Sequence, residues 1–335
     1  MVKLVYTNQY ALIIIINLNM ESNPIDTVGV IDMESPGSFS HNDTSLFTDL
    51  YQLTMVQSYL NQGMFSPATF SLFVRPSSFN RPYLVTAGLG DVLNYLANFS
   101  VSQEAIEYLR STEIFNDDLL EYLQNMRFTG NVRAIPEGRL YFYNEPILEI
   151  TAPLPEAQIV ETFIINQINL QSTIATKAAR CVYAAGNRSL SDFSLRRAHG
   201  IDAGMKAARC SFLAGFHSTS NVLASKSYGI PVGGTMGHSY ITSFDNELEA
   251  FRTFAKNFPT STVLLLDTYD TIKAAHKAVT IAKEMESFGY KLQGVRIDSG
   301  DLKHLSMNVK KILLEANLGY VQIIVSGGLD EYTID

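Results

Sequence analysis

The chain has 335 residues, 46% of them hydrophobic and 17% charged, the composition of an ordinary folded protein with room for two domains. A net charge of −8 without any basic tract argues against a nucleic-acid or membrane partner. Its two cysteines, Cys181 and Cys210, lack metal-type spacing and read as buried thiols in a reducing, cytoplasmic compartment.

Residues 1–40 are expected to be a poorly structured extension. Their apolar run Tyr10–Leu18 is too short to span a bilayer and lacks a persuasive cleavage site, so neither insertion nor secretion is expected. Residues 41–152 predict an α+β domain: a helix over Asp43–Asn61 opened by Asn42/Asp43, a strand at Ala68–Arg75 before a proline-rich turn, and a short strand at Tyr83–Ala87. Two or three helices follow between Asp91 and Met126, then strand-like stretches at Asn131–Ile135 and Gly138–Ile150. Pro153 and Pro155 open a second unit, 153–335, which starts with a long apolar helix over Glu156–Ala185. Strand candidates at 191–195, 230–234, 262–267, 292–297 and 321–325 then alternate with amphipathic helices. In one of these, over 301–317, Leu302, Leu305, Val309, Ile312 and Ala316 recur at spacings of three and four. Val263-Leu-Leu-Leu266 and Val321-Gln-Ile-Ile-Val325 resemble strands buried on both faces. The fold class is therefore α/β: an N-terminal α+β domain, then a parallel sheet, open or closed as a barrel.

In such sheets chemistry collects at the carboxyl ends of the strands. Those ends carry Arg196-Arg197, Thr235 with His238, Asp267-Thr268, Arg296 with Asp298-Ser-Gly-Asp301, and Ser326-Gly-Gly328. Glycines around His238 free backbone N–H groups for an anion, and an imidazole can accept a proton or a phosphoryl group. Arg196 reads as a phosphate fork or as a salt bridge at the rim. Asp298 and Asp301 suit a hydrated Mg²⁺, a ribose diol or a cationic sugar carbon, and Asp301 alternatively caps the next helix. Arg296, between Val295 and Ile297, needs an anion. If that anion is a substrate carboxylate, one charge-assisted contact of roughly 1.5–3 kcal/mol favours an acid over its amide by about 10- to 150-fold. The alternative is a carboxylate of the chain itself. Tyr51 is a core residue or a platform for a ring. His217 beside Ser218–Ser220 reads as phosphate contact or helix cap. Neither a P-loop nor a dinucleotide-binding glycine motif occurs.

Taken together, Thr48-Asp-Leu-Tyr-Gln-Leu-Thr-Met55, Phe193-Ser-Leu-Arg-Arg197, Gly234-Thr-Met-Gly-His-Ser239, Leu266-Asp-Thr-Tyr269, Gly294-Val-Arg-Ile-Asp-Ser-Gly-Asp301 and Ser326-Gly-Gly-Leu-Asp-Glu331 resemble, in order, the motifs of the nicotinate phosphoribosyltransferase family across about residues 43–335. The resemblance implies an α/β domain followed by an irregular, TIM-like barrel, incomplete here, in a homodimer with shared sites. It implies an activity that joins nicotinate to phosphoribosyl pyrophosphate in NAD salvage, coupled to ATP hydrolysis with Mg²⁺ (or Mn²⁺). His238 matches the phosphorylated histidine; Tyr51, Thr235 and Arg296 match positions at nicotinate. Arg196 matches the phosphoribosyl site, to which Asp301, Ser326 and Gly327 are also assigned. Asp298 would stabilise the cationic sugar, and no metal ligand is assigned. Gly237 replaces the family's usual alanine. The family's glycine-threonine phosphate loop and last strands have no counterpart, so the 335-residue chain by itself is expected to be poorly stable or inactive. Alternatives are a nicotinamide or quinolinate phosphoribosyltransferase, a non-catalytic truncated fragment, and an aldolase-type barrel. The last would need a strand-end lysine, whereas Lys226, Lys273 and Lys303 fall in helices.

Overall fold

Leucines spaced for a helix and short alternating strands build the N-terminal layer of the computed structural model, which describes residues 44–75 and 81–334. The expected extension at 1–40 and the proline-rich turn after Arg75 lie outside the described residues. Helix α1 (Leu50–Asn61) starts at Leu50 instead of Asp43. Asp49 takes an extended N-cap conformation, and its carboxylate accepts from the Thr162 hydroxyl (2.9 Å) instead of capping its own helix. Strands β1 (Pro67–Leu72) and β2 (Leu84–Val85) precede helices α2 (Leu89–Ala97), α3 (Gln103–Ser111) and α4 (Asp117–Asn125). Ser102 and Asn116 cap α3 and α4 by accepting backbone N–H bonds, which sets both starts. Strands β3 (Asn131–Ala134), β4 (Leu140–Tyr141) and β5 (Leu148–Pro153) follow. The stretch Gly138–Ile150 is thus two strands: β4 pairs with β2, while β5 lies between β1 and β3, all antiparallel.

Helix α5 (Leu154–Ala185) starts two residues before the expected Glu156 and organises the layer. Its apolar side, including Ile159, Val160, Phe163 and Ile164, closes a core with Val92, Leu96, Ile106, Leu109, Leu119 and Leu123. Further along, its Ser172 and Thr176 hydroxyls accept from the backbone N–H groups of Ala87 and Val85 (3.1 and 2.9 Å), which satisfies backbone groups in β2 and just after it.

The second half runs β6 (Ser191–Asp192), α6 (Ile201–Leu213), β7 (Ser218–Thr219), α7 (Val222–Tyr228), α8 (His238–Thr242), α9 (Glu247–Asn257), β8 (Val263–Leu265), α10 (Thr271–Ser287), β9 (Gly294–Ile297), α11 (Leu302–Glu315) and β10 (Gln322–Val325). Two parallel ladders result: β6 beside β7, and β8-β9-β10 with β9 in the middle. Three expectations need correction. The strand at 191–195 stops at Asp192, because Leu195–Arg197 winds into a 3₁₀ turn. The strand at 230–234 is one parallel bridge from Val232 to Thr219, since Pro231 has no N–H and Gly233-Gly234 follow. Strand β10 is half exposed, with Gln322 and Val325 facing solvent, because only β9 pairs with it. Leu264, Leu265, Leu266, Val295 and Ile297 are fully buried, in a core completed by α9, α10 and α11. Lys226, Lys273 and Lys303 lie in helices, as expected.

Candidate active site

Strand pairing brings the expected residues to one rim. Arg296 lies opposite Leu265 on β8 and Ile324 on β10, so Leu266-Asp267, Ile297-Asp298 and Val325-Ser326 end at the same level. Because Val295 and Ile297 point into the core, Arg296 points the other way, with its side chain 13% exposed. Its Nε donates to Ser326 Oγ (2.7 Å), Nη1 to Thr235 Oγ1 (3.0 Å) and to the Met236 carbonyl (3.3 Å), and Nη2 to Asp298 Oδ1 (2.6 Å). Four of a guanidinium's five N–H bonds are thereby used, and one Nη2 hydrogen remains. Of the two anions expected for this arginine, the structure shows the chain's own carboxylate.

Asp298 binds three partners. Ser326 Oγ and Arg296 reach its Oδ1, while Oδ2 lies 3.8 Å from His238 Nε2. Burial opposes its charge, but the Ser326 and Arg296 hydrogen bonds and the charge of Arg296 outweigh it and hold the carboxyl below its ordinary range. The backbone beneath is set by Gly327. At φ 101° it takes a conformation open mainly to glycine, and a Cβ there would collide with the Asp298 carbonyl oxygen.

His238 begins α8, and its ring is 44% exposed. Its Nδ1 shares a hydrogen bond with Thr268 Oγ1 (3.1 Å), which fixes the ring plane and turns Nε2 toward Asp298. Gly237 has an extended backbone (φ −105°) that any residue adopts, with only an ordinary 3.7 Å contact waiting for a Cβ. The family's alanine would fit there.

The remaining predicted residues are more dispersed. Asp301 accepts from the His304 N–H (3.0 Å) and caps α11, after a turn that places Gly300 at φ 81°. Arg196 sits in the 3₁₀ turn after β6, exposed, and forms no hydrogen bond or ion pair among the described residues. Tyr51 is 49% exposed on α1, and its charged neighbours are Asp49 and Glu161; none belongs to the rim cluster. His217 carries no cap, and Asn221 caps α7 in place of Ser218–Ser220.

Several participants carried no role in the sequence reading. The Phe193 ring lies 5.4 Å from the Arg296 guanidinium carbon. Thr268 holds His238, and Ser299 donates to Asp267 Oδ2, whose Oδ1 is buried without a hydrogen-bond partner. Each lies in a motif, but the pairing joins positions far apart in the chain, and no local spacing signals it. Among the described residues no group of three or more His, Cys, Asp or Glu could hold a metal ion, and no helix is long and apolar enough to cross a membrane.

Comparison with known proteins gives the family. Residues 46–169 match the nicotinate phosphoribosyltransferase (NAPRTase) N-terminal domain, and residues 188–334 match the nicotinate phosphoribosyltransferase family model. A nicotinate phosphoribosyltransferase of Mycobacterium tuberculosis is 47% identical over 290 residues, covering 87% of this chain and 62% of the relative. That of Bacillus subtilis is 41% identical over 300 residues, covering 88% and 60%. The crystal structure of human nicotinic acid phosphoribosyltransferase superposes with a TM-score of 0.80 at 31% identity, covering 86% of this chain and 69% of that one. The chain thus spans about three fifths of the curated relatives it matches. With both family models covering most of its length and such relatives beside them, this chain belongs to the nicotinate phosphoribosyltransferase family.

Proposed function

We propose that this chain carries the strand-end machinery of an ATP-coupled enzyme that transfers phosphoribose from phosphoribosyl pyrophosphate to nicotinate, giving nicotinate mononucleotide and pyrophosphate in NAD salvage. One observation carries the reading above all. A half-buried guanidinium is held rigidly by Thr235, Ser326 and Asp298, beside an exposed histidine, at the rim of a parallel sheet. The N–H left on Arg296 Nη2 is the donor for the ring carboxylate, and Thr235 supports it from the adjacent loop. The pyridine nitrogen then attacks the anomeric carbon as the C–O bond to pyrophosphate breaks, so positive charge grows on the sugar. Asp298 keeps its charge, and Oδ2, the oxygen not spent on Ser326 and Arg296, faces that region.

With Nδ1 tied to Thr268, Nε2 is the nitrogen free to take the terminal phosphoryl group of ATP, displacing ADP. Arg196, exposed and without a partner among the described residues, is available to the pyrophosphate. Among the described residues no dedicated cage is formed, so a Mg²⁺ would arrive on substrate phosphates, and Asp267, whose buried Oδ1 has no hydrogen-bond partner, would be the carboxylate to hold it. When bound, the ion supplies neutralisation of the leaving group's charge. Tyr51, exposed and with charged neighbours Glu161 and Asp49 that are not part of the rim cluster, supports a homodimer in which it serves the partner's site. Two free buried thiols accord with a cytoplasmic enzyme.

Competition among nicotinate, nicotinamide and quinolinate for phosphoribosyl transfer tests the reading. Nicotinate should be favoured over the amide by about tenfold or more, and Arg296→Gln should erase most of that preference. Preference for the amide would remove Arg296 from its role, and preference for the diacid would overturn nicotinate as the substrate.

A further inference from the structure

We propose that Asp192 is a positioning residue for the substrate site, acting through Arg196 and Phe193. The inference rests on the phosphoribosyl-transfer reading of that site. Asp192 is 5% exposed at the end of β6 and has no ion-pair partner among the described residues. Its Oδ1 accepts from both the backbone N–H (3.0 Å) and the hydroxyl (2.6 Å) of Ser194, and its Oδ2 accepts from the Thr219 hydroxyl (2.8 Å). Burying a carboxylate without a cation is unfavourable, and here three neutral donors offset it.

The arrangement favours an acceptor-only side chain, because a carboxylate takes all three hydrogens at once. The Ser194 N–H can only donate, and the Thr219 hydroxyl oxygen already accepts from the Asn221 N–H (3.1 Å), which leaves its hydrogen for Asp192. An asparagine would turn its amide N–H₂ toward the Thr219 hydroxyl or toward Ser194 and leave one of the three hydrogens without its acceptor.

From this carboxylate the chain reaches the site along two routes. Forward, the Ser194 bonds start the 3₁₀ turn that carries Arg196 and sets the Phe193 ring 5.4 Å from the Arg296 guanidinium carbon. Sideways, fully buried Thr219 donates its N–H to the Pro231 carbonyl (3.0 Å) and accepts from the Gly233 N–H (2.9 Å), at the head of the loop that holds Thr235 and His238. Gly233 packs so tightly on Ser218 that a Cβ would lie 2.8 Å from its Oγ. One buried charge thus locks the turn bearing the phosphate-binding arginine to the loop bearing the histidine.

The test is a double-mutant cycle on the full chain, with Asp192→Asn and Arg196→Ala singly and together. It reads inorganic pyrophosphate binding by calorimetry, and KM for phosphoribosyl pyrophosphate against kcat. Asp192→Asn should weaken pyrophosphate about tenfold and raise KM similarly, with kcat within about threefold. The double variant should be no weaker than Arg196→Ala alone, because an arginine that is absent cannot be misplaced. Ser194→Ala, which removes one exposed hydroxyl, should move the same quantities in the same direction by less, and it guards against Asp192 variants that fold poorly. Losses that multiply in the double variant, or pyrophosphate affinity unchanged in Asp192→Asn, would overturn the proposal. Absence of product from the parent with any pyridine would instead strike the functional reading, since the pyrophosphate measurement needs no turnover.

Discussion

Arg296 has five N–H bonds to place, and the chain claims four of them. In the proposed reaction, specificity for an acid would rest on one charge-assisted contact in a pre-aimed fork, which is why its expected size is about tenfold and not the upper end of the range. Two glycines sharpen the picture because they answer differently to the same change. Gly237 has ordinary extended backbone and space for a methyl, so Gly237→Ala should stabilise the fold by about 0.4–1 kcal/mol in urea melts and leave turnover nearly intact. Gly327 has positive φ and meets the Asp298 carbonyl, so Gly327→Ala should destabilise the fold and shift the Asp298 carboxylate. Equal behaviour of the two variants would contradict the placement of Asp298. The sequence placed Arg296, Asp298, Thr235, His238 and Ser326 at strand ends, and the structure brings them together. It could not place Phe193 on Arg296 or Thr268 on His238, because such contacts depend on how separate strands line up.

Among the elements, legibility followed hydrophobic content. Leu264–Leu266 and Val295/Ile297 are apolar and fully buried, and both runs are strands nearly where their composition puts them. Strand β7 is Ser218-Thr219, too short and too polar to signal itself, and it exists because Asp192 and Pro231 supply its partners. The residues Ile230–Gly234 look like a strand and make only one bridge, since proline and two glycines remove the donors and the stiffness a ladder needs. Helix α6 was anticipated only as one of several amphipathic helices, yet two ion pairs attach it to the N-terminal layer: Lys206 with Asp91 (2.6 Å) and Arg209 with Glu137 (2.6 Å). Gln171 also donates to Asp91 (2.6 Å), so the carboxylate keeps one partner without the lysine. Asp91 is 37% exposed, and water can partly replace the amine. Lys206→Met should therefore cost about 1–3 kcal/mol in chemical denaturation, less than a fully buried pair would. No measurable loss would mean that α6 is held by packing alone.

Among the described residues the two largest apolar cores are one built on α5 and the N-terminal helices and one beneath the β8-β9-β10 rim. The rim cluster belongs to the second, whereas Tyr51 stands on the first and faces outward. If sites are shared between protomers, a mixture of Tyr51→Ala and His238→Ala chains should recover turnover that neither variant shows alone, because a mixed dimer contains one site with both groups. Failure to complement would assign Tyr51 to another task. The central claim is that the strand-end cluster performs ATP-coupled phosphoribosyl transfer, and incubation with γ-labelled ATP tests it most directly. The parent should acquire an acid-labile phosphoryl label that His238→Ala lacks; equal labelling of the two proteins would contradict the account.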